Sequence, residues 1–296
     1  MDGRGLADDQ AVVMPMHDPL VYLNGEFIPL SEAKVSVLDR GFLFGDGVYE
    51  VIPVYGGKPF RLDDHLRRLD NSLSGIRLPP PLTHAQWQEI IHGLLQGQGD
   101  QSVYLQVTRG VAPKRDHAFP KDGQPTVLVM VNPMETGEPQ AVKAILVDDI
   151  RWQWCHIKAI TLLANVLLRQ QAIDRGCHEA ILVRDGKVTE GAASNVFAVM
   201  DGVLVTPPKG PHLLPGITRD VVLELAGANG IAFREEEITP DDLKQAEEIW
   251  LTSSTRELLP VIALDDQPVG KGRPGPLWEK MLGIFQGYKQ SLRSGS

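Results

Sequence analysis

The sequence predicts an α+β protein folded as two lobes. Three observations carry this. Short apolar runs are joined by Asn-Gly, Asp-Gly and Gly-Gly pairs, the signature of antiparallel hairpins. Segments of helical period stand among them without regular strand–helix–strand alternation. A polar, proline-bearing stretch, NPMETGEPQ at 132–140, breaks the pattern near the middle and reads as a linker. The expected organisation is a flexible tail over 1–18, a smaller α/β domain over 19–131, the linker over 132–140, and a larger α/β domain over 141–290.

The elements follow in order. VYLNGEFIPL is a hairpin on Asn24-Gly25. Val48–Tyr55 is a strand that turns at Gly56-Gly57. LDDHLRRLDNSLSGI places Leu62, Leu66, Leu69 and Leu73 on one helical face. Thr83 caps the next helix, with Gln86 in capping-box position. SVYLQVTRG and PTVLVMV are strands separated by a long polar loop, VAPKRDHAFPKDGQ. VKAILVDDI opens the second lobe, and a helix from Leu162 closes at Gly176. EAILVRDGKVTEG and SNVFAVMDGVLVTP are hairpins. GITRDVVLELAGANG is a helix, and Thr239-Pro240-Asp241-Asp242 starts another. EIWLTSSTRELLPVIALD returns to strand, and PLWEKMLGIFQGYKQ is the last helix.

Composition excludes several classes of function. The 296 residues are 43% apolar and 23% charged, ordinary for a soluble globular enzyme. A formal charge of −9 gives no support to a nucleic-acid partner. No apolar run reaches the roughly 18 residues of a membrane span, and the first residues lack a leader layout. Two cysteines, Cys155 and Cys177, read as buried apolar residues and fit a reducing cytoplasm. The eight histidines have no metal-ligand spacing, so no metal is expected. Phosphate-loop, nucleophile-elbow and dinucleotide fingerprints are absent.

Two places remain. LDRGFLFGDGVYEV at 38–51 sets tight glycine turns beside Tyr49. Lys158 stands before an apolar helix among Trp152, Trp154, Ile157, Ile160 and Leu162. Read locally, it is either a desolvated lysine suited to Schiff-base chemistry or a lysine snorkelling to the surface.

RGFLFGDGVYEV, HIKAITLLANVLLRQQA, KVTEGAASNVF, GITRD and LTSSTRELLPV occur in this order between 40 and 261. Together they resemble the fold-type IV pyridoxal-phosphate (PLP) enzymes: D-amino acid transaminases, branched-chain aminotransferases and aminodeoxychorismate lyases. The resemblance implies a two-domain fold with the cofactor at the domain interface. It implies that Lys158 carries pyridoxal 5'-phosphate as a Schiff base and then serves as the general base. Glu190 matches the carboxylate that pairs with the pyridine nitrogen. Arg68 matches the phosphate arginine, with Arg67 its neighbouring rival. Ile217 and Thr218 offer backbone N–H groups at a helix start, and Ser253 and Ser254 add hydroxyl donors.

Within the family, Tyr49 and the pair Arg115 and His117 resemble the carboxylate trap of the D-amino acid transaminases, in which the loop reaches in from the neighbouring subunit. The loop is one residue longer here, so Lys114 stands beside Arg115 as an alternative cation. The expectation is therefore a homodimer that transfers the amino group of D-amino acids, of D-alanine type, to 2-oxoglutarate by a ping-pong route through pyridoxamine phosphate. The alternatives are a branched-chain L-amino acid aminotransferase, which usually carries Phe-Glu-Gly after the glycine turn, a lyase, and a non-enzymatic PLP carrier.

Overall fold

The computed structural model describes residues 18–97, 99–134 and 137–294. Of the tail expected over 1–18, all but Asp18 lies outside these residues. The fold is α+β.

The first lobe opens with a hairpin, β1 (Leu20–Leu23) and β2 (Glu26–Pro29). Its turn residues Asn24 and Gly25 both have positive φ, 51° and 107°, which suits the right-handed twist of the flanking strands. A 3-10 turn at Leu30–Glu32 leads to α1 (Arg40–Phe44). The glycine-rich segment was not expected to hold a helix. It does because Asp39 accepts the Gly41 N–H at 2.7 Å and Gly45 closes the turn at φ 65°.

Then come β3 (Gly47–Tyr55), β4 (Lys58–Pro59), α2 (Leu62–Gly75), α3 (His84–Leu94), β5 (Gln101–Thr108) and β6 (Thr126–Pro133). The expected capping box of α3 is present: Thr83 Oγ1 accepts the Gln86 N–H at 3.3 Å, and Gln86 Oε1 accepts the Thr83 N–H at 2.9 Å. Strand β6 runs through Pro133, into the first residues read as linker. The sheet order is β2-β1-β6-β5-β3-β4, antiparallel throughout. Leu66, Leu69 and Leu73 of α2 pack on Val48 and Ile52 of β3, each side chain stabilising by about 1.5–3 kcal/mol through burial.

The second lobe contains β7 (Val142–Asp148), α4 (Leu163–Asp174), β8 (Glu179–Arg184), β9 (Lys187–Gly191), β10 (Asn195–Met200) and β11 (Val203–Thr206). It continues with α5 (Ile217–Ala228), β12 (Phe233–Glu235), α6 (Pro240–Gln245), β13 (Glu248–Ser253), β14 (Glu257–Leu264), β15 (Gln267–Pro268) and α7 (Pro276–Ser294). Its sheet order is β12-β11-β10-β13-β14-β7-β8-β9, with β15 on β14. Strand β7 pairs in parallel with β8 through the α4 crossover and β11 with β12 through α5, and β7 also pairs in parallel with β14, arrangements that antiparallel hairpins cannot build. Residues 248–265, read as a return to strand, form a hairpin. The chain turns at Ser254–Arg256 and resumes at Glu257, whose φ of 57° is rare for a residue with a side chain.

The lobes are stitched together along β3. Val48 bridges Ala159, and the Tyr55 hydroxyl donates to Glu257 Oε1 at 2.9 Å. Among the described residues, no helix is long and apolar enough to cross a membrane.

Candidate active site

The seam between the lobes holds a cavity of about 420 Å³. Tyr49, Arg68, Lys158, Glu190, Ile217, Thr218, Ser253 and Ser254, singled out from the sequence, all line it. They come from β3, α2, the β7–α4 connection, β9, the start of α5 and the β13–β14 turn.

Lys158 is fixed by its backbone. Its N–H donates to Ser72 Oγ at 3.1 Å, and its carbonyl accepts the Tyr49 N–H at 3.0 Å. Ile160 N–H donates to Gly47 O at 3.1 Å, so the segment is pinned to the edge of β3. The Nζ then lies 4.2 Å from the centre of the Tyr49 ring. The expected apolar surround is there only in part: Trp152, Ile157 and Leu162 line the cavity with Lys158, Trp154 and Ile160 do not, and the two tryptophans sit in an irregular loop, 46% and 56% exposed.

Glu190 is buried at the inner end of β9. It accepts from Leu214 N–H at 3.0 Å, from Asn195 Nδ2 at 3.3 Å and from Arg151 Nη1. Burial pushes its carboxyl above the usual range, and the pull of Arg151 opposes that shift without cancelling it. Arg151 is shared with Asp149, which it holds at 2.9 Å through both Nε and Nη2. Burial works to raise the Asp149 carboxyl, and the Arg151 hydrogen bonds outweigh it and hold that group low.

Arg68 reaches the cavity from α2 in the grip of Glu50. Its Nε and Nη2 donate to the two Glu50 oxygens at 2.7 and 2.8 Å, and its Nη1 donates to Pro215 O at 3.0 Å. Three of the five guanidinium N–H groups are thereby committed, which leaves two for a ligand. His65 Nδ1 sits 2.8 Å from Glu50 Oε2 and completes the buried cluster.

Pro215 leads into α5, whose N-cap, Gly216, provides no side chain to satisfy the first N–H groups. A Cβ on Gly216 would lie 1.9 Å from Asn195 Oδ1, so glycine lets the helix start approach the residue that also holds Glu190. Ser253 and Ser254 line the same cavity. Beside them Thr252 Oγ1 is buried in the cavity wall and has no hydrogen-bond partner among the described residues.

These groups suit the cofactor the motifs suggest. An uncapped helix start, hydroxyls and a partly committed arginine form one anion-binding end, and the buried Thr252 hydroxyl awaits a polar partner there. Lys158 and buried Glu190, a carboxylate able to meet a ring nitrogen, line the same cavity. The volume admits a cofactor together with a small substrate.

Arg115 and His117 do not line the cavity of their own chain. They lie on an exposed loop against Phe44: the Arg115 guanidinium is 4.8 Å and the His117 ring 5.3 Å from its ring centre. The loop is held by buried Arg40, which donates to the carbonyls of Asp116, Ala118 and His117 at 2.5, 3.2 and 3.3 Å. Lys114 pairs with Asp116 at 3.2 Å.

Sequence reasoning missed Glu50, Arg151, Asn195, Thr252 and Arg40. Glu50 follows Tyr49 directly and was readable as part of the same strand. The others had no local signal, because their partners are far away in the chain.

The model of the amino-transferase class IV family matches residues 47–264. A D-alanine aminotransferase from Bacillus licheniformis is 41% identical over 271 residues, covering 90% of this chain and 95% of the relative. Among solved structures, a branched-chain amino acid aminotransferase from Escherichia coli superposes with a TM-score of 0.85 at 28% identity, over 92% of this chain and 94% of the other. The branched-chain aminotransferase of the archaeon Thermoproteus uzoniensis, solved with norvaline, gives a TM-score of 0.84 at 29% identity, again over 92% of this chain and 94% of the other.

Proposed function

Because the chain belongs to the amino-transferase class IV family, we propose that its cavity transaminates D-amino acids with pyridoxal 5'-phosphate held at Lys158. It is a PLP-dependent D-amino-acid transaminase, with D-alanine as donor and 2-oxoglutarate as acceptor. The observation that carries the reading is the meeting of Lys158 Nζ, the Tyr49 ring and buried Glu190 in one cavity, in a chain 41% identical to a D-alanine aminotransferase.

When bound, the cofactor supplies a carbonyl carbon that takes up the amino group and a ring that accepts the electron pair left at Cα. Lys158 Nζ holds it between turnovers. Once displaced by substrate, that amine takes the Cα proton, a role worth about 10²–10⁴-fold. Glu190, steadied by Arg151, Asn195 and the Leu214 N–H, keeps the ring nitrogen's proton in place. Arg68, the Ile217 and Thr218 N–H groups, Ser253 and Ser254 bind the phosphate. The Tyr49 hydroxyl, with Arg115 and His117 of a second copy of the chain, binds the substrate α-carboxylate. The exposed loop over Phe44 supports donation across a two-fold homodimer, since it leaves both side chains outside their own cavity. The free, buried Cys155 and Cys177 favour a reducing compartment, and the cytoplasm is the proposed location.

A donor screen tests the reading. Purified protein with PLP and 2-oxoglutarate is offered D-alanine, L-alanine and L-leucine, and glutamate configuration is determined. Pyruvate and D-glutamate from D-alanine alone are expected. Turnover of L-leucine without D-alanine would assign the branched-chain activity named for the structural neighbours.

A further inference from the structure

The cations of the cavity differ in how they are neutralised. Arg68 is paired with Glu50, and Arg151 with Asp149 and Glu190. At the α4 side, Arg169 stands 3.7 Å from Glu179, itself buried and already accepting from Ser194 Oγ and the Ala180 and Ala193 N–H groups. Arg256, on the β13–β14 turn, lines the same cavity, and its guanidinium donates to His178 Nε2 instead of to a carboxylate. Two guanidinium groups and one carboxylate leave a positive charge here. Lys143 adds another on the shallow pocket that Arg256 and His178 also line.

Resting on the transaminase reading, we infer that Arg256, oriented by His178 and backed by Arg169, forms a subsite for the distal carboxylate of dicarboxylic substrates. The ligand class is a short 2-oxo or 2-amino diacid, of which 2-oxoglutarate and D-glutamate are the pair the reaction needs.

The chemistry fits in three respects. A guanidinium fork presents paired N–H groups to a carboxylate, and its affinity is greater when no fixed carboxylate already occupies it. His178 supplies an acceptor and no competing charge: burial and the charges of Arg256 and Arg169 push its imidazole down to about 4, so it is neutral at pH 7. Arg256 shares its turn with Ser253 and Ser254, but its guanidinium contacts lie toward α4 and not toward the start of α5. Arg68 donates to Pro215 O beside the start of α5, whereas Arg256 contacts His178 and feels Arg169 of α4. Arg256 is also partly exposed, so a diacid can reach it without opening the core.

Steady-state kinetics of Arg256→Ala and Arg256→Lys, as PLP-loaded enzyme, provide the test. D-Alanine with 2-oxoglutarate reports on the diacid, and D-2-aminobutyrate with pyruvate reports on monoacids. In Arg256→Ala, KM for 2-oxoglutarate rises about tenfold or more while KM for pyruvate stays within about twofold. Arg256→Lys recovers part of the loss, because the charge remains and the fork does not. An unchanged KM for 2-oxoglutarate overturns the subsite and leaves the transaminase reading standing. An equal rise for both acceptors, with weaker PLP binding in a direct titration, overturns it in favour of a phosphate contact. Absence of turnover by the unsubstituted enzyme with either pair overturns the subsite together with the reading on which it rests.

Discussion

The Nζ of Lys158 lies 4.2 Å from the centre of the Tyr49 ring, and the Lys158 carbonyl accepts the Tyr49 N–H. The residue proposed to hold the cofactor and the residue proposed to bind the substrate carboxylate are thus held in register by one main-chain hydrogen bond between lobes.

Lys158→Ala keeps these main-chain bonds and should fold with an unchanged thermal midpoint. Transamination of D-alanine should fall by about 10²–10⁴-fold or more. Borohydride reduction with PLP should add no cofactor mass to the peptide carrying position 158, as read by mass spectrometry.

Glu50→Gln strikes the support behind the cavity. Burial acts to raise the Glu50 carboxyl, but the charge and hydrogen bonds of Arg68, with His65, outweigh it and hold it well below the ordinary carboxylate range. A carboxyl lowered by folding contributes stability above its unfolded value and loses it as pH falls through the folded one. Removing its charge strands the buried Arg68 cation, at a cost of about 3–5 kcal/mol at neutral pH. The deficit relative to the unsubstituted protein should be full at about pH 7 and narrow below about pH 4. Denaturant melts at the two pH values check this.

Gly216→Ala places a methyl group 1.9 Å from Asn195 Oδ1 and must shift either the start of α5 or Asn195. PLP dissociation, followed by visible absorbance, should weaken by about tenfold, equivalent to one charge-assisted hydrogen bond. Wild-type affinity in this variant would remove the α5 start from the phosphate site.

Arg115→Ala and Lys158→Ala chains should complement each other. A mixed dimer would pair an intact Lys158 with an intact Arg115 across the interface, restoring one of its two sites. Random reassociation of equal amounts should recover about a quarter of wild-type activity. No recovery would mean that the loop serves its own chain.

Much of the site was legible because its residues lie in contiguous motifs whose order survives folding: Tyr49, Lys158, Glu190 and the Ile217-Thr218 helix start all line one cavity. What escaped was the set of pairings that hold them. Glu50 with Arg68 joins a strand to the face of a helix, and Arg151 reaches Glu190 across 39 positions. No periodicity encodes such pairs, since each depends on two elements meeting. The short helix α1 was missed because glycines at 41 and 45 look like breakers, whereas the Asp39 cap stabilises a single turn that ends at Gly45. The apolar surround of Lys158 was only partly right for the opposite reason. Sequence neighbours were assumed to be spatial neighbours, but of the two tryptophans in the loop before Lys158 only Trp152 lines the cavity, and both rings are about half exposed.

The most direct measurement of the central claim is the half-reaction: D-alanine added to the PLP-loaded enzyme without any 2-oxo acid. One equivalent of pyruvate per bound cofactor, with none from L-alanine or L-leucine, is the predicted result. No pyruvate from D-alanine, or release from the L-amino acid instead, would contradict the assignment of this cavity to D-amino-acid transamination.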